Sequence, residues 1–181
     1  MGDREVVQMD IERRCQTIEL ILSDVDGVLT DGRIVLDNAG METKQFHIRD
    51  GMGIRLWQKA GCRFGVVTAR SSHIVNLRAA ELGVEIVRQG VESKLIAVRE
   101  IAAALGLGLE QVCYLGDDLP DLPAVSAVGL GVAVADACAE LRRAAHFVTR
   151  SPGGAGAVRE TVEWILQSQQ RWDAVVQSYL T

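Results

Sequence analysis

Short β-branched runs alternate with longer helical stretches along most of this chain, and that alternation restricts the fold more than any other feature. It is the pattern of a largely parallel sheet whose strands are joined by helices lying on its faces. Strand-like runs fall at residues 19–23, 63–68, 85–87, 111–115 and 128–132, with a short late one at 145–148. Residues 51–60, 72–82, 93–105, 136–144 and 156–168 read as the intervening helices, and an amphipathic helix at 4–14 precedes the first strand. Ser72 and Asp136 stand where helix starts are capped, and Gly61, Gly83 and Gly106 stand where helices stop. One segment breaks the rhythm. Residues 32–36 and 42–48 read as two strands around the turn Asp37-Asn38-Ala39-Gly40, a hairpin inserted directly after the first strand's loop. Every other connection is short, so no room remains for a folded cap domain, and residues 1–181 are expected to form one domain. The tail from about 167 to 181 is polar with scattered Trp172, Val175, Val176 and Tyr179, the pattern of a last helix that packs on something.

Composition narrows the function classes. Aromatics are only 4% of a chain that is 48% hydrophobic, so Val, Ile, Leu and Ala must fill the core. A net charge of −5 argues against non-specific nucleic-acid binding, although a local cluster of Arg and Lys can still receive a small anion. Cys15, Cys62, Cys113 and Cys138 lie far apart and form no C-x-x-C pair, which predicts reduced, mostly buried thiols. Residues 1–10 carry four charges and no apolar signal-peptide core, and no run reaches the length of a membrane span. A cytoplasmic protein is expected.

The chemistry begins where the first strand ends, in Ser23-Asp24-Val25-Asp26-Gly27-Val28-Leu29-Thr30-Asp31-Gly32. Two carboxylates two residues apart at the carboxyl end of a buried strand point the same way, at the edge where open α/β sheets bind ligands. Taken alone, D-x-D-G is equally a surface turn. Three further pieces stand in matching places. Thr68 ends the second core strand and is followed by Ala69, whose N–H is left to meet an oxyanion. Lys94 opens a helix, a fixed cation at a terminus that already favours anions. Gly116-Asp117-Asp118-Leu119-Pro120-Asp121 follows another strand with carboxylate oxygens suited to Mg²⁺. A strand-end Thr, a solvated Lys and a capping Asp are ordinary separately; their joint order is not.

Together the four pieces resemble the four motifs of the haloacid dehalogenase superfamily of phosphatases, over essentially the whole chain after Ile18. The strings running from Asp24 to Gly32, Thr68 to Ser71, Gly116 to Asp121 and Gly153 to Glu160 are similar to a narrower group within it. That group comprises the 3-deoxy-D-manno-octulosonate 8-phosphate (Kdo 8-phosphate) phosphatases of lipopolysaccharide sugar synthesis and their nonulosonate 9-phosphate relatives. The resemblance implies a Rossmannoid α/β/α sandwich with a mainly parallel sheet, a small hairpin insertion and no cap. It also implies a Mg²⁺-dependent phosphoric monoester hydrolase. By the same resemblance, Asp24 is the nucleophile and Asp26 the general acid and then base. Mg²⁺ is held by Asp24, the backbone carbonyl of Asp26, and Asp117, while Thr68, the Ala69 N–H and Lys94 hold the phosphoryl oxygens. Asp118 and Asp121 are left to back the metal ligands or support the loop, with a helix cap the alternative for Asp121.

A sugar-acid phosphate also carries a carboxylate remote from its phosphate, so a second cation is needed. Arg70 and Arg78 are the candidates, with Arg49 next. In the resembling group four hairpins pack together and a neighbour covers each site, which implies a homotetramer here. The alternating Ile34, Leu36, Phe46 and Ile48 serve equally to fold the hairpin back on its own domain. The glycines at 153–156 follow no strong strand and lack the Lys-Ser/Thr of a phosphate loop, so they read as a flexible entry to the helix at 156–168. By resemblance that region closes over a neighbouring site, giving Gly154 and Arg159 a role. His47, His73 and His146 share no metal-binding spacing, and Trp57, Trp164 and Trp172 read as core or interface. Two rivals stay open: the same chemistry on a nine-carbon acid such as KDN 9-phosphate, and a non-catalytic oligomerisation domain of the kind fused to sugar cytidylyltransferases.

Overall fold

The computed structural model describes residues 3–180; Met1, Gly2 and Thr181, the ends of the expected 1–181 unit, lie outside the described residues. Six strands form one parallel sheet: β1 (Leu20–Ser23), β4 (Arg63–Val67), β5 (Ile86–Arg88), β6 (Val112–Gly116), β7 (Leu130–Ala133) and β8 (Phe147–Val148), in the spatial order β5-β4-β1-β6-β7-β8. The separate hairpin pairs β2 (Val35–Leu36) with β3 (Glu42–Thr43) antiparallel. Around the sheet lie α1 (Asp3–Cys15), α2 (Ile48–Lys59), α3 (His73–Leu82), α4 (Lys94–Ala104), α5 (Leu122–Ala127), α6 (Ala139–Ala144), α7 (Ala157–Ser168) and α8 (Trp172–Gln177). The helices sort into two packed groups. In one, α7 packs on α1 and α2, and α3 on α2; in the other, α5 packs on α4 and α6. The fold is the expected α/β one.

Register places the site. β1 is central and buried on both faces, as a near-continuous apolar strand in a parallel sheet must be. Ser23 lies level with Val66 of β4 and Leu115 of β6, so the residues that follow all three emerge on one rim. Asp24 prolongs the pairing by one step, its N–H donating to the Leu115 carbonyl at 3.0 Å. Trp57 is fully buried and satisfies its indole N–H on the Arg63 carbonyl at 2.7 Å, tying α2 to β4.

Several local expectations shift. The hairpin strands pair over only two residues each, Val35 with Thr43 and Leu36 with Glu42. α2 begins at Ile48 rather than Gly51, and α5, too short to show a helical period, was not anticipated. Asp136 does not cap α6, which starts at Cys138 and Ala139; its carboxylate instead accepts the Gly153 N–H at 2.9 Å. Ser72 does occupy the N-cap position of α3, but its hydroxyl donates to Glu42 of the hairpin at 3.0 Å instead of capping. All four cysteines are unpaired. No helix among the described residues is long and apolar enough to cross a membrane.

Candidate active site

Four charged side chains meet on the rim. Asp24 is 7% exposed; one carboxylate oxygen accepts the Val25 N–H at 2.6 Å and the other the Lys94 ammonium at 2.5 Å. Lys94 enters from the first turn of α4, whose start is capped by the Ser93 hydroxyl on the Ile96 N–H, and it reaches Asp121 at 2.6 Å. Asp121 is completely buried. Its Oδ1 also receives the Tyr114 hydroxyl at 2.8 Å, and its Oδ2 receives the N–H groups of Asp117 and Asp118 at 3.1 and 3.3 Å. Asp121 therefore closes the 116–121 loop and fixes Lys94, more than the loop support or capping expected of it. The capping falls to Asp118 instead, which accepts the Leu119 N–H at 2.8 Å, whereas the Asp121 side chain makes no cap bond to α5.

Asp117 is left with no hydrogen-bond donor on its carboxylate among the described residues, yet ligand oxygens of Asp24, Asp117 and Asp121 lie within 4.8 Å of one another. Burial, then the Asp121 and Asp24 charges, push the Asp117 carboxyl up to about 7. Burial followed by Asp121 lifts Asp24 to about 6, against the pull of Lys94. Burial pulls the Lys94 ammonium down, but Asp24 and Asp121 together hold it above its ordinary value. Three carboxylates against one ammonium leave two formal negative charges, and the least satisfied oxygens are those of Asp117. That is the complement of a hard divalent cation, so the donor set fits Mg²⁺.

The chain bends to permit this approach. Gly27 has φ +90, and a Cβ there would stand 2.1 Å from Asp117 Oδ2. The glycines at 153–156 are not the loose entry expected of them. The Gly154 N–H donates to the Val28 carbonyl at 2.9 Å, and a Cβ on Gly153 would meet the Gly27 carbonyl oxygen at 1.8 Å, so this loop is packed against the turn that follows Asp26. Asp50, buried and not singled out from the sequence, holds the loop's far end by accepting the N–H groups of Gly156 and Arg159 at 3.1 and 2.9 Å. Its carboxyl is raised by burial, against the pull of those two bonds.

The other expected residues divide. Thr68 is buried at the end of β4, and the Ala69 N–H beside it has no partner among the described residues. Arg70 is exposed, with Nη1 3.6 Å from Asp26 and Nη2 2.6 Å from Glu42. Arg78 is not brought to the carboxylates: it pairs with Glu81 at 2.7 Å and lies over the Phe46 ring, on the core side of the hairpin. Helical geometry explains this, since Arg78 sits on the face of α3 turned toward Gly51 of α2. Arg49 opens onto a different groove of about 760 Å³, shared with Arg150, Arg159, Phe147 and Trp164. Arg159 pairs with Glu163 at 2.5 Å. His146 accepts the Gly131 N–H at 2.8 Å, a structural role. Lys44 and Glu42 were missed. Lys44 bonds to Asp26 Oδ1, and a lone Lys in a polar hairpin strand gives no signal of that.

Known proteins bear directly on this site. The family model described as haloacid dehalogenase-like hydrolase matches residues 74–160. The 3-deoxy-D-manno-octulosonate 8-phosphate phosphatase of Yersinia pestis is 44% identical over 162 residues, 90% of this chain and 87% of that protein. The chain belongs to the 3-deoxy-D-manno-octulosonate 8-phosphate phosphatase family. The family's enzyme from Escherichia coli strain K12 is 42% identical over 92% of this chain and 89% of its own. Among solved structures, the family's Moraxella catarrhalis member, in complex with magnesium ion, phosphate ion and a KDO molecule, superposes with a TM-score of 0.92. It is 39% identical and covers 94% of this chain and 98% of its own. The cobalt-bound Haemophilus influenzae member gives a TM-score of 0.88 at 38% identity, covering 93% and 99%. The six-stranded sheet described above is the fold of that family.

Proposed function

We infer that this chain hydrolyses 3-deoxy-D-manno-octulosonate 8-phosphate to the free sugar acid and phosphate, with Mg²⁺ as cofactor and a covalent aspartyl-phosphate on Asp24. The observation that carries the reading is the convergence of Asp24, Asp117, Asp121 and Lys94 on one rim with two negative charges unbalanced, in a chain of this family. Asp24, Asp117 and the Asp26 backbone carbonyl would hold the ion, which screens the repulsion between an attacking carboxylate and an anionic phosphate. Asp24 attacks phosphorus in line as the bond to the sugar oxygen breaks. Asp26 gives a proton to that oxygen. It then takes one from the water that attacks phosphorus and frees Asp24. Lys94, the Thr68 hydroxyl and the Ala69 N–H hold the transferring oxygens, a matter of placement and charge rather than bond-making.

Arg70 is the cation for the substrate's carboxylate; Arg78, committed to Glu81 and Phe46, is set aside. The hairpin supports assembly. Phe46 packs on the core, but Ile34 and Leu36 stay about 60% exposed, and Met41 and Ile48 are exposed as well. Apolar side chains left outward on so short a hairpin fit burial against other copies, and a homotetramer covers a site that has no cap of its own. A scaffold role has no use for the buried charged cluster.

The test is phosphate release by the wild type and by Asp24→Asn, with Mg²⁺ or EDTA, on the eight-carbon and nine-carbon sugar-acid phosphates. The reading expects Mg²⁺-dependent turnover favouring the eight-carbon ester and none from Asp24→Asn. Turnover by Asp24→Asn, or turnover unaffected by EDTA, defeats it.

A further inference from the structure

The hairpin also reaches into the reaction site. The Lys44 side chain is 1% exposed, and its ammonium bonds to Asp26 Oδ1 and lies 3.5 Å from Glu42 Oε1. Glu42 is held in turn by Arg70 at 2.6 Å and by the Ser72 hydroxyl at 3.0 Å, and Arg70 stands 3.6 Å from Asp26 Oδ2. Asp26, Lys44, Glu42 and Arg70 thus close a ring of two anions and two cations, drawn from the turn after β1, from the hairpin and from the turn after β4. A lysine this enclosed is uncommon and must be paired to be tolerated. Here its close pairing is with one oxygen of Asp26, and Glu42 at 3.5 Å is a longer second partner.

The two oxygens of Asp26 are consequently unlike. Oδ1 is tied down by Lys44, whereas Oδ2 has no donor within hydrogen-bond distance among the described residues. We propose that Lys44 is a positioning residue that fixes Asp26 through Oδ1, so that Oδ2 alone handles the proton; this rests on the role given to Asp26 above. As the Asp24–phosphorus bond forms and the phosphorus–sugar oxygen bond breaks, the proton on Oδ2 passes to the departing oxygen. When water's oxygen bonds to phosphorus and Asp24 leaves, one water proton returns to Oδ2. Glu42 links this clamp to Arg70, so one hairpin strand sets both the acid and the guanidinium.

The experiment compares kcat/KM of the wild type, Lys44→Met and Lys44→Arg on three esters in Mg²⁺: p-nitrophenyl phosphate, glycerol phosphate and the eight-carbon sugar-acid phosphate. A p-nitrophenolate departs without a proton; an alkoxide does not. Lys44→Met should lower kcat/KM for both alkyl esters about 10- to 100-fold while leaving the aryl ester nearly unchanged, and Lys44→Arg should recover most of the loss. The ratio between esters does not depend on how much of the variant is folded, so partial unfolding cannot imitate this result. Equal losses on all three esters overturn the proposal, as does no loss at all. A loss confined to the sugar-acid ester also overturns it, because Lys44 would then contact the substrate instead of Asp26. If the wild type cleaves only the two simple esters, the substrate reading has failed, and their ratio still decides the role of Lys44.

Discussion

Asp117→Asn should make the metal-free protein more stable while removing its activity. The Asp117 carboxyl is lifted from 3.8 to about 7, first by burial and then by the Asp121 and Asp24 charges. Between those two pH values the native state keeps a proton that the unfolded chain has released, so stability falls as pH rises through the window. The full displacement corresponds to a ceiling of about 4 kcal/mol, and water reaching part of the carboxylate brings this to about 2 kcal/mol. An asparagine has no proton to lose. In EDTA at about pH 7.5 the variant should therefore unfold roughly 4–8 °C above the wild type, and at about pH 5 the difference should shrink. Mg²⁺ should raise the unfolding temperature of the wild type near neutrality through binding to the native state, and do little for the variant. Thermal unfolding followed by circular dichroism at the two pH values, with and without Mg²⁺, reads all of this. A variant that unfolds at or below the wild type near neutrality in EDTA would refute the claim that the rim carries uncompensated negative charge.

Gly27→Ala sets a Cβ 2.1 Å from Asp117 Oδ2 at a φ of +90, so Mg²⁺ affinity and kcat/KM should each fall about 100-fold; titration of Mg²⁺ against turnover measures it. Ile34→Lys with Leu36→Lys should turn the proposed tetramer into smaller species in sedimentation, because both side chains lie outward on the hairpin. Tyr114→Phe removes the hydroxyl that Asp121 accepts at 2.8 Å, and should cost about 1–2 kcal/mol in denaturant unfolding with a fall in kcat of less than about tenfold.

Much of this was legible in the sequence because it is governed by short-range rules. The apolar runs at 19–23 and 111–115 read as buried strands in an alternating α/β pattern, and the parallel register they adopt carries Asp24 and Asp117 to one rim. Thr68 and Lys94 were readable for the same reason, each being fixed to the end of a regular element. What escaped notice depends on contacts distant along the chain. Lys44 and Asp26 are eighteen residues apart and meet only because the hairpin folds over the turn after β1. Asp50 and Asp136 look like ordinary surface or capping acids until the 150–156 loop comes down on them. Arg78 could not be placed from the sequence for a related reason: which neighbours its face of α3 meets depends on packing, and within this chain it lies over Phe46 and pairs with Glu81.

Asp26→Asn offers the most direct view of the covalent step, because it should still accept a phosphoryl group from p-nitrophenyl phosphate and then fail to release it. Rapid mixing in Mg²⁺ is predicted to give a burst of p-nitrophenolate stoichiometric with the chain, and peptide mass analysis after acid quench should find the added phosphoryl group on Asp24. A linear trace without a burst, or a phosphoryl group on a different residue, would contradict attack by Asp24.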